Sequence, residues 1–71
     1  MLELFEPHHR RVKDERELGY YFSKYGEKAP AVLRERAAED GLSPRDRRHW
    51  QRLARKARRQ RNQWMDKLTA S

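Results

Sequence analysis

The chain has 71 residues, no cysteine and a net charge of +7, so it forms one domain at most, with a small core that tight helix packing, a dimer or a partner must support. Without cysteine, neither disulfides nor thiolate metal sites can stabilise it. No apolar run is long enough for a signal peptide or a membrane-spanning helix, so we expect a cytoplasmic protein without a spanning segment.

Residues 1–11 are expected to form a docking or fold-back segment ahead of a single helical domain at 12–71. Leu2, Leu4 and Phe5 are large apolar side chains at an end that would otherwise fray. The adjacent histidines at 8 and 9 would point to different faces of a helix, and no suitably spaced acid or cysteine completes a metal site. The sequence therefore predicts a solvated linker here and no bound metal.

The run Met1-Leu2-Glu3-Leu4-Phe5 resembles the bacterial sliding-clamp-binding pentapeptide Gln-Leu-x-Leu-Phe. The resemblance covers five residues, and Met1 stands where the motif has its polar Gln anchor. It implies docking on the replication clamp. The alternative is that these side chains fold back onto the C-terminal helix.

Two shorter helices are predicted before residue 43. The first runs from about Val12 to Tyr25, with Leu18, Tyr21, Phe22 and Tyr25 at i, i+3, i+4 and i+7, and Gly26 is its natural stop. The second covers roughly Lys28 to Asp40, with Pro30 in its first turn and Gly41 in a left-handed conformation after its end. Its apolar face is formed by Ala29, Val32, Leu33 and Ala37.

A long third helix is predicted from Ser43 to Leu68. Ser43 is a good N-cap, Pro44 suits the first helical position, and Asp46 completes a variant of the capping box. Its apolar side includes both tryptophans and is interrupted by Arg61: Trp50, Leu53, Ala54, Ala57, Trp64, Met65 and Leu68. We expect the C-terminal half to overhang the core, because this helix is longer than either partner. In that case Leu2, Leu4 and Phe5, or a second molecule, would cover Trp64, Met65 and Leu68.

The positive charge is concentrated on this third helix. Residues 44–71 carry ten basic and two acidic side chains, whereas residues 1–43 carry eight basic and nine acidic ones. Its far side is predicted to form a phosphate-binding stripe of Arg48, Arg52, Arg55 and Arg59, with Arg45 and Lys56 beside it. A merely solvated helix face would interleave acids for pairing over one turn, and this one does not. DNA or RNA is therefore the favoured partner, ahead of an acidic protein or an anionic membrane surface.

The region around Gly41 has two interpretations. Ala37, Gly41 and Trp50 match the small, turn and apolar positions of a helix-turn-helix motif, but Asp40 and Arg47 would occupy positions where that motif needs apolar packing. A plain helical hairpin with a similar glycine turn fits these residues better.

A second resemblance covers about residues 20 to 57. Tyr25-Gly26, Ala29, Leu33, Arg36-Ala37, Gly41 and Trp50 with Ala54 resemble short helical proteins common in alphaproteobacteria, which are mostly uncharacterised. The resemblance implies a compact helical fold in a bacterial cytoplasm and implies no activity. The arginine density and the N-terminal LELF depart from that pattern.

The sequence thus predicts an all-α protein, either a small three-helix bundle or a helical hairpin with a long basic C-terminal helix. It contains no nucleophile–base pair and no glycine-rich phosphate loop, so we expect neither an enzyme nor a cofactor. The favoured function is nucleic-acid binding by a regulator or accessory factor. The alternative is a protein–protein adaptor or inhibitor, which would bind an acidic partner or dock through its N-terminal LELF. A homodimer formed at Trp64 fits either function.

Overall fold

The computed structural model describes residues 8–69 and is entirely helical outside the connection at 38–43. Helix α1 spans His8–Tyr25, a 3-10 turn spans Gly26–Lys28, α2 spans Ala29–Ala37, and α3 spans Pro44–Thr69. This part of the chain has no strand, so the all-α prediction is confirmed. None of its helices is long and apolar enough to cross a membrane. Leu2, Leu4 and Phe5 lie outside the described residues.

Helix α1 includes residues that were predicted to form a linker. The helix already contains His8, His9, Arg10 and Arg11, whose side chains are exposed. No glycine or proline interrupts the sequence from His8 to Leu18, so nothing prevents the helical conformation from including these residues. Gly26 has φ +60° and directly follows α1, which confirms the predicted stop.

Helix α2 is shorter than predicted, ending at Ala37 instead of Asp40. The amide of Ala38 donates to the carbonyl of Glu35 (3.1 Å), and that of Glu39 donates to Arg36 (3.2 Å). These i to i+3 bonds tighten the last turn and use up carbonyls that a longer helix would have paired. Gly41 has φ +85° and lies in the connection itself.

Helix α3 begins as the sequence predicts. Pro44 is its first residue, and the amide of Asp46 donates to Ser43 Oγ at 3.1 Å. The Ser43 side chain therefore pairs one of the amides that the first turn leaves without an intrahelical acceptor.

The core brings together one side of each helix. Leu18 and Phe22 of α1, Leu33 of α2, and Leu53 of α3 are almost wholly buried. Tyr21, Ala29 and Ala57 complete this cluster, and Trp50 packs at its edge. Most of the apolar positions predicted from helical periodicity are therefore confirmed, but Trp50 lies beside the core and Leu68 is exposed.

Helix α1 lies across α3 and contacts its C-terminal half, which was expected to overhang the core. Asp14 binds the N-terminal half of α3 through Arg52, whereas Phe22 stacks on Trp64 with ring centroids 5.7 Å apart. The Trp64 ring also lies against Gly19, where an added Cβ would be 3.5 Å from the ring, an ordinary van der Waals distance. Helix α1 therefore does reach Trp64, contrary to the prediction, because it crosses α3 instead of running beside its first half only.

Candidate nucleic-acid interface

A groove separates the N-terminal part of α1 from the N-terminal half of α3. It is lined by His9, Arg10, Lys13, Asp14, Arg45, Arg48, His49, Gln51, Arg52 and Arg55. Six of these side chains are arginine or lysine and one is acidic. We call this surface the basic groove. Its charge comes from two helices, whereas the sequence indicated one.

The single acid of the basic groove is buried and paired. Asp14 is 2% exposed, and its Oδ2 accepts from Arg52 Nε at 2.8 Å and from Lys56 Nζ at 2.9 Å. Arg52 Nη2 also donates to Asp14 Oδ1 at 3.1 Å. This two-pronged geometry fixes the guanidinium plane. The carboxylate therefore holds α1 against α3 and neutralises part of the charge on α3.

The pKa of the Asp14 carboxyl reflects two opposing effects. Burial raises it, but the hydrogen bonds from Arg52 and Lys56, together with their positive charges, outweigh burial and hold the pKa below the ordinary value of 3.8. Asp14 is therefore ionised at neutral pH, and the ion pair is intact under those conditions.

The network continues through a histidine at the groove wall. Arg52 Nη2 lies 3.0 Å from His49 Nδ1, and His49 Nε2 lies 3.2 Å from Glu17 Oε1. Because a guanidinium can only donate, Nδ1 accepts and the proton of the neutral imidazole is assigned to Nε2, facing Glu17. The chain Glu17–His49–Arg52–Asp14–Lys56 therefore orders the polar side of the α1–α3 interface.

The same network contains the one group of metal-type ligands found among residues 8–69. Ligand atoms of Asp14, Glu17 and His49 lie within 4.8 Å of one another. Arg52 and Lys56 already bind the Asp14 carboxylate at 2.8–2.9 Å. Two cations at that distance oppose the binding of a third, so the arrangement suits an ion-pair network and not a metal centre.

The six side chains predicted to bind phosphate fall into a part-buried group and an exposed group. Arg52 and Lys56 are part-buried at Asp14, whereas the other four are exposed on α3: Arg45, Arg48, Arg55 and Arg59. Arg45, Arg48 and Arg55 line the basic groove, and Arg59 lies one turn beyond Arg55. Arg52 and Lys56 therefore support the interface, and the four exposed arginines can meet an anion.

Sequence reasoning missed the contribution of α1. His9, Arg10 and Lys13 face the arginines of α3 across the groove, although residues 8–11 were predicted to form a solvated linker. It also missed the buried Asp14. Asp14 precedes Leu18 by four residues and Tyr21 by seven, so it lies on the apolar face of α1. An acid on that face indicates a buried cationic partner.

A smaller groove lies between α2 and α3. Its floor consists of Pro30, Ala37 and Ala54, and its rim carries three arginines: Arg34, Arg55 and Arg58. Arg55 borders both grooves, so the basic surface is continuous across α3. The sequence did not predict this groove.

Arg47 occupies a position where a helix-turn-helix needs an apolar side chain. Its Nη1 donates to the carbonyl of Ala37 at 2.7 Å, and its Nη2 donates to the carbonyl of Glu39 at 3.2 Å. The guanidinium thus binds carbonyls at the end of α2, where the helix dipole favours positive charge. A charged cap therefore fixes the connection between α2 and α3.

The predicted partner-binding residues of α3 differ in exposure. Trp64 is half-buried against Phe22, and its Nε1 donates to Gln60 Oε1 at 3.1 Å. Met65 packs against the core, while Leu68 is 39% exposed. Docking through Leu2, Leu4 and Phe5 lies outside the described residues and stays a prediction.

Comparison with known proteins gives no further assignment. No protein-family model matches the sequence, and no curated protein or solved structure matches it significantly.

Proposed function

We propose that this protein binds nucleic acid through phosphate contacts in the basic groove, as a regulator or accessory factor. The observation that carries the proposal is the convergence of Arg10 and Lys13 from α1 with Arg45, Arg48 and Arg55 from α3 on one groove. These like charges repel one another, so the groove lowers the stability of the folded protein unless an anion binds there. Phosphodiesters supply regularly spaced anions for this purpose.

The ion pairs beneath the groove support the proposal. Asp14 accepts from both Arg52 and Lys56, so the one acid in the groove is already occupied by two cations. The remaining five cations of the groove have no acidic partner among its lining residues. Arginine dominates, and its planar fork suits bidentate contact with phosphate oxygens. Contacts of this kind position a nucleic acid without reading its sequence.

We further propose that α1, α2 and α3 act together as a three-helix bundle that presents the groove. Buried Leu18, Leu33 and Leu53 come one from each helix. This common packing supports a rigid separation between the cations of α1 and those of α3.

The direct test measures binding of the Arg48→Gln/Arg55→Gln double variant to labelled DNA and RNA at low salt. We expect affinity to fall by about tenfold or more, and the dependence of log affinity on log salt to become shallower by roughly 2, because two phosphate contacts are lost. The matched control is Arg16→Gln/Arg61→Gln, which removes the same charge from exposed positions outside the groove.

The control variant should bind almost as tightly as the wild type. Equal weakening of the two double variants would show that net charge, and not the groove, governs binding. Absence of any complex with DNA or RNA at low salt would refute the function itself.

The alternative function is a protein–protein adaptor that binds an acidic partner. The groove between α2 and α3 favours it, because Pro30, Ala37 and Ala54 offer apolar contact that phosphates cannot use, beside Arg34 and Arg58. Pull-down from a bacterial lysate with and without nuclease separates the two functions. Partners that are lost after nuclease treatment support nucleic-acid binding, and one acidic protein that stays bound supports the adaptor.

A further inference from the structure

We infer that the basic groove accepts the backbone of a double-stranded nucleic acid in preference to a single strand. The inference rests on the proposed function and specifies its substrate class. It depends on which side chains line the groove and on where the aromatic rings of residues 8–69 lie.

No phenylalanine, tyrosine or tryptophan is among the groove-lining residues. Phe22 and Trp64 stack on each other, and the Tyr21 and Trp50 rings meet edge to face with centroids 6.1 Å apart. Proteins that bind single strands without sequence preference combine cations with aromatic rings on which successive bases stack. Within residues 8–69 the aromatic rings pack against one another and not in the groove, so its lining offers no such surface for stacking bases.

The histidines of the groove do not provide a stacking surface for successive bases either. His49 is held by Glu17 and Arg52 on its two nitrogens and meets the Trp50 ring edge to face at 5.1 Å. His9 is exposed but offers one ring. A flexible strand would therefore lose conformational freedom on binding without the stacking that normally offsets this loss.

Tyr20 is the strongest counter-candidate. It is 57% exposed, but it does not line the groove, its hydroxyl accepts from Lys24 Nζ at 3.3 Å, and its ring meets Tyr21 edge to face at 5.3 Å. One exposed ring outside the groove cannot stack successive bases. It does supply a variant that tests the inference.

The placement of charge favours a duplex for a separate reason. The exposed arginines from Arg45 to Arg59 extend over about 21 Å along α3, with Arg10 and Lys13 on the opposite wall of the groove. A duplex presents phosphates at higher density than a single strand, so the affinity gained per cation through counterion release is greater. With five groove cations, each tenfold decrease in salt would raise the affinity for a duplex by about one power of ten more than the affinity for a single strand.

The test compares a duplex of about 20 base pairs with each of its separated strands, in matched DNA and RNA sets, by fluorescence anisotropy over a range of salt. The full chain and its Tyr20→Ala variant are titrated side by side. We expect at least one duplex to bind about tenfold more tightly than its strands at low salt. Tyr20→Ala should bind both forms as the wild type does.

Equal or tighter binding of the single strands would overturn the inference and leave the proposed function standing. Loss of single-strand binding in Tyr20→Ala would also overturn it, because that ring would then serve as the stacking platform. If duplexes and strands all fail to bind, the proposed function fails together with the inference, which distinguishes the two results.

Discussion

Asp14 is the residue that links the packing of the protein to its candidate site. It is buried between α1 and α3 and accepts from Arg52 and Lys56. Without the carboxylate, two cations would face each other in a part-buried space, and this residual repulsion dominates the cost of breaking a buried pair. The same carboxylate lowers the positive potential of the groove, so it favours folding and opposes anion binding.

Replacement of Asp14 should therefore move stability and binding in opposite directions. We expect Asp14→Asn to lower the free energy of unfolding by about 3 kcal/mol. Affinity of the folded protein for nucleic acid should rise, because the groove gains one net positive charge. Urea unfolding and anisotropy titration measure the two effects, with Glu15→Gln on the exposed side of α1 as the matched control. A stable Asp14→Asn variant would show that the ion pair does not hold α1 in place.

The lowered pKa of Asp14 also predicts a pH dependence. Its pKa in the folded state lies below its ordinary value of 3.8, so the unfolded chain binds more protons between the two values. The stabilisation is present above about pH 4 and is lost as the pH falls through the folded-state pKa. The difference in unfolding free energy between wild type and Asp14→Asn should thus shrink as urea titrations move below pH 4. A constant difference would contradict the assignment.

At the scale of one element, neighbouring arginines of α3 have different roles. Arg47 donates to the carbonyls of Ala37 and Glu39, whereas Arg48 is exposed and lines the basic groove. Adjacent positions on a helix are 100° apart, so one guanidinium faces α2 and the next faces the groove. Arginine density alone therefore overstates the number of side chains available to an anion.

This division gives a paired prediction for α3. Arg47→Ala should lower the free energy of unfolding by about 1–2 kcal/mol, because carbonyls at the end of α2 lose a charged donor. Arg48→Ala should leave stability within about 0.5 kcal/mol and weaken nucleic-acid binding instead. Thermal unfolding and anisotropy titration on both variants provide the comparison. An unchanged melting temperature for Arg47→Ala would show that water replaces the cap without loss.

At the scale of the whole molecule, the charge of +7 opposes folding. The groove gathers Arg10, Lys13, Arg45, Arg48 and Arg55 on one surface, and their mutual repulsion is screened by salt. The buried Asp14 pair is screened much less. Added salt should therefore stabilise the folded protein while it weakens nucleic-acid binding.

Thermal melts at low and physiological salt test this balance. Between about 20 mM and 150 mM salt, we expect the melting temperature of the wild type to rise by several degrees, which corresponds to about 1 kcal/mol. The Arg48→Gln/Arg55→Gln variant should melt higher than the wild type at low salt and respond less to added salt. A melting temperature that falls with salt would show that attractive surface pairs outweigh the repulsion.

Much of the fold could be predicted because it follows from local chemistry. The cap at Ser43 and the stop at Gly26 depend on the conformational preferences of a few neighbouring residues. The apolar faces depend only on the 3.6-residue period, and Leu18, Leu33 and Leu53 are buried as that period predicts. The predicted helix boundaries were less accurate at the start of α1 (His8) and the end of α2 (Ala37), because hydrogen bonding at a terminus depends on small local differences.

By itself, the sequence determined an all-α chain, its apolar faces and the concentration of positive charge on the C-terminal helix. Only the tertiary structure decided which cations face solvent. The crossing of α1 over α3 brings Asp14, 38 residues from Arg52 in the chain, against the predicted stripe, and it adds Arg10 and Lys13 to the opposite wall. Helical periodicity fixes the face on which a side chain lies, but contact between faces depends on how helices pack across the core.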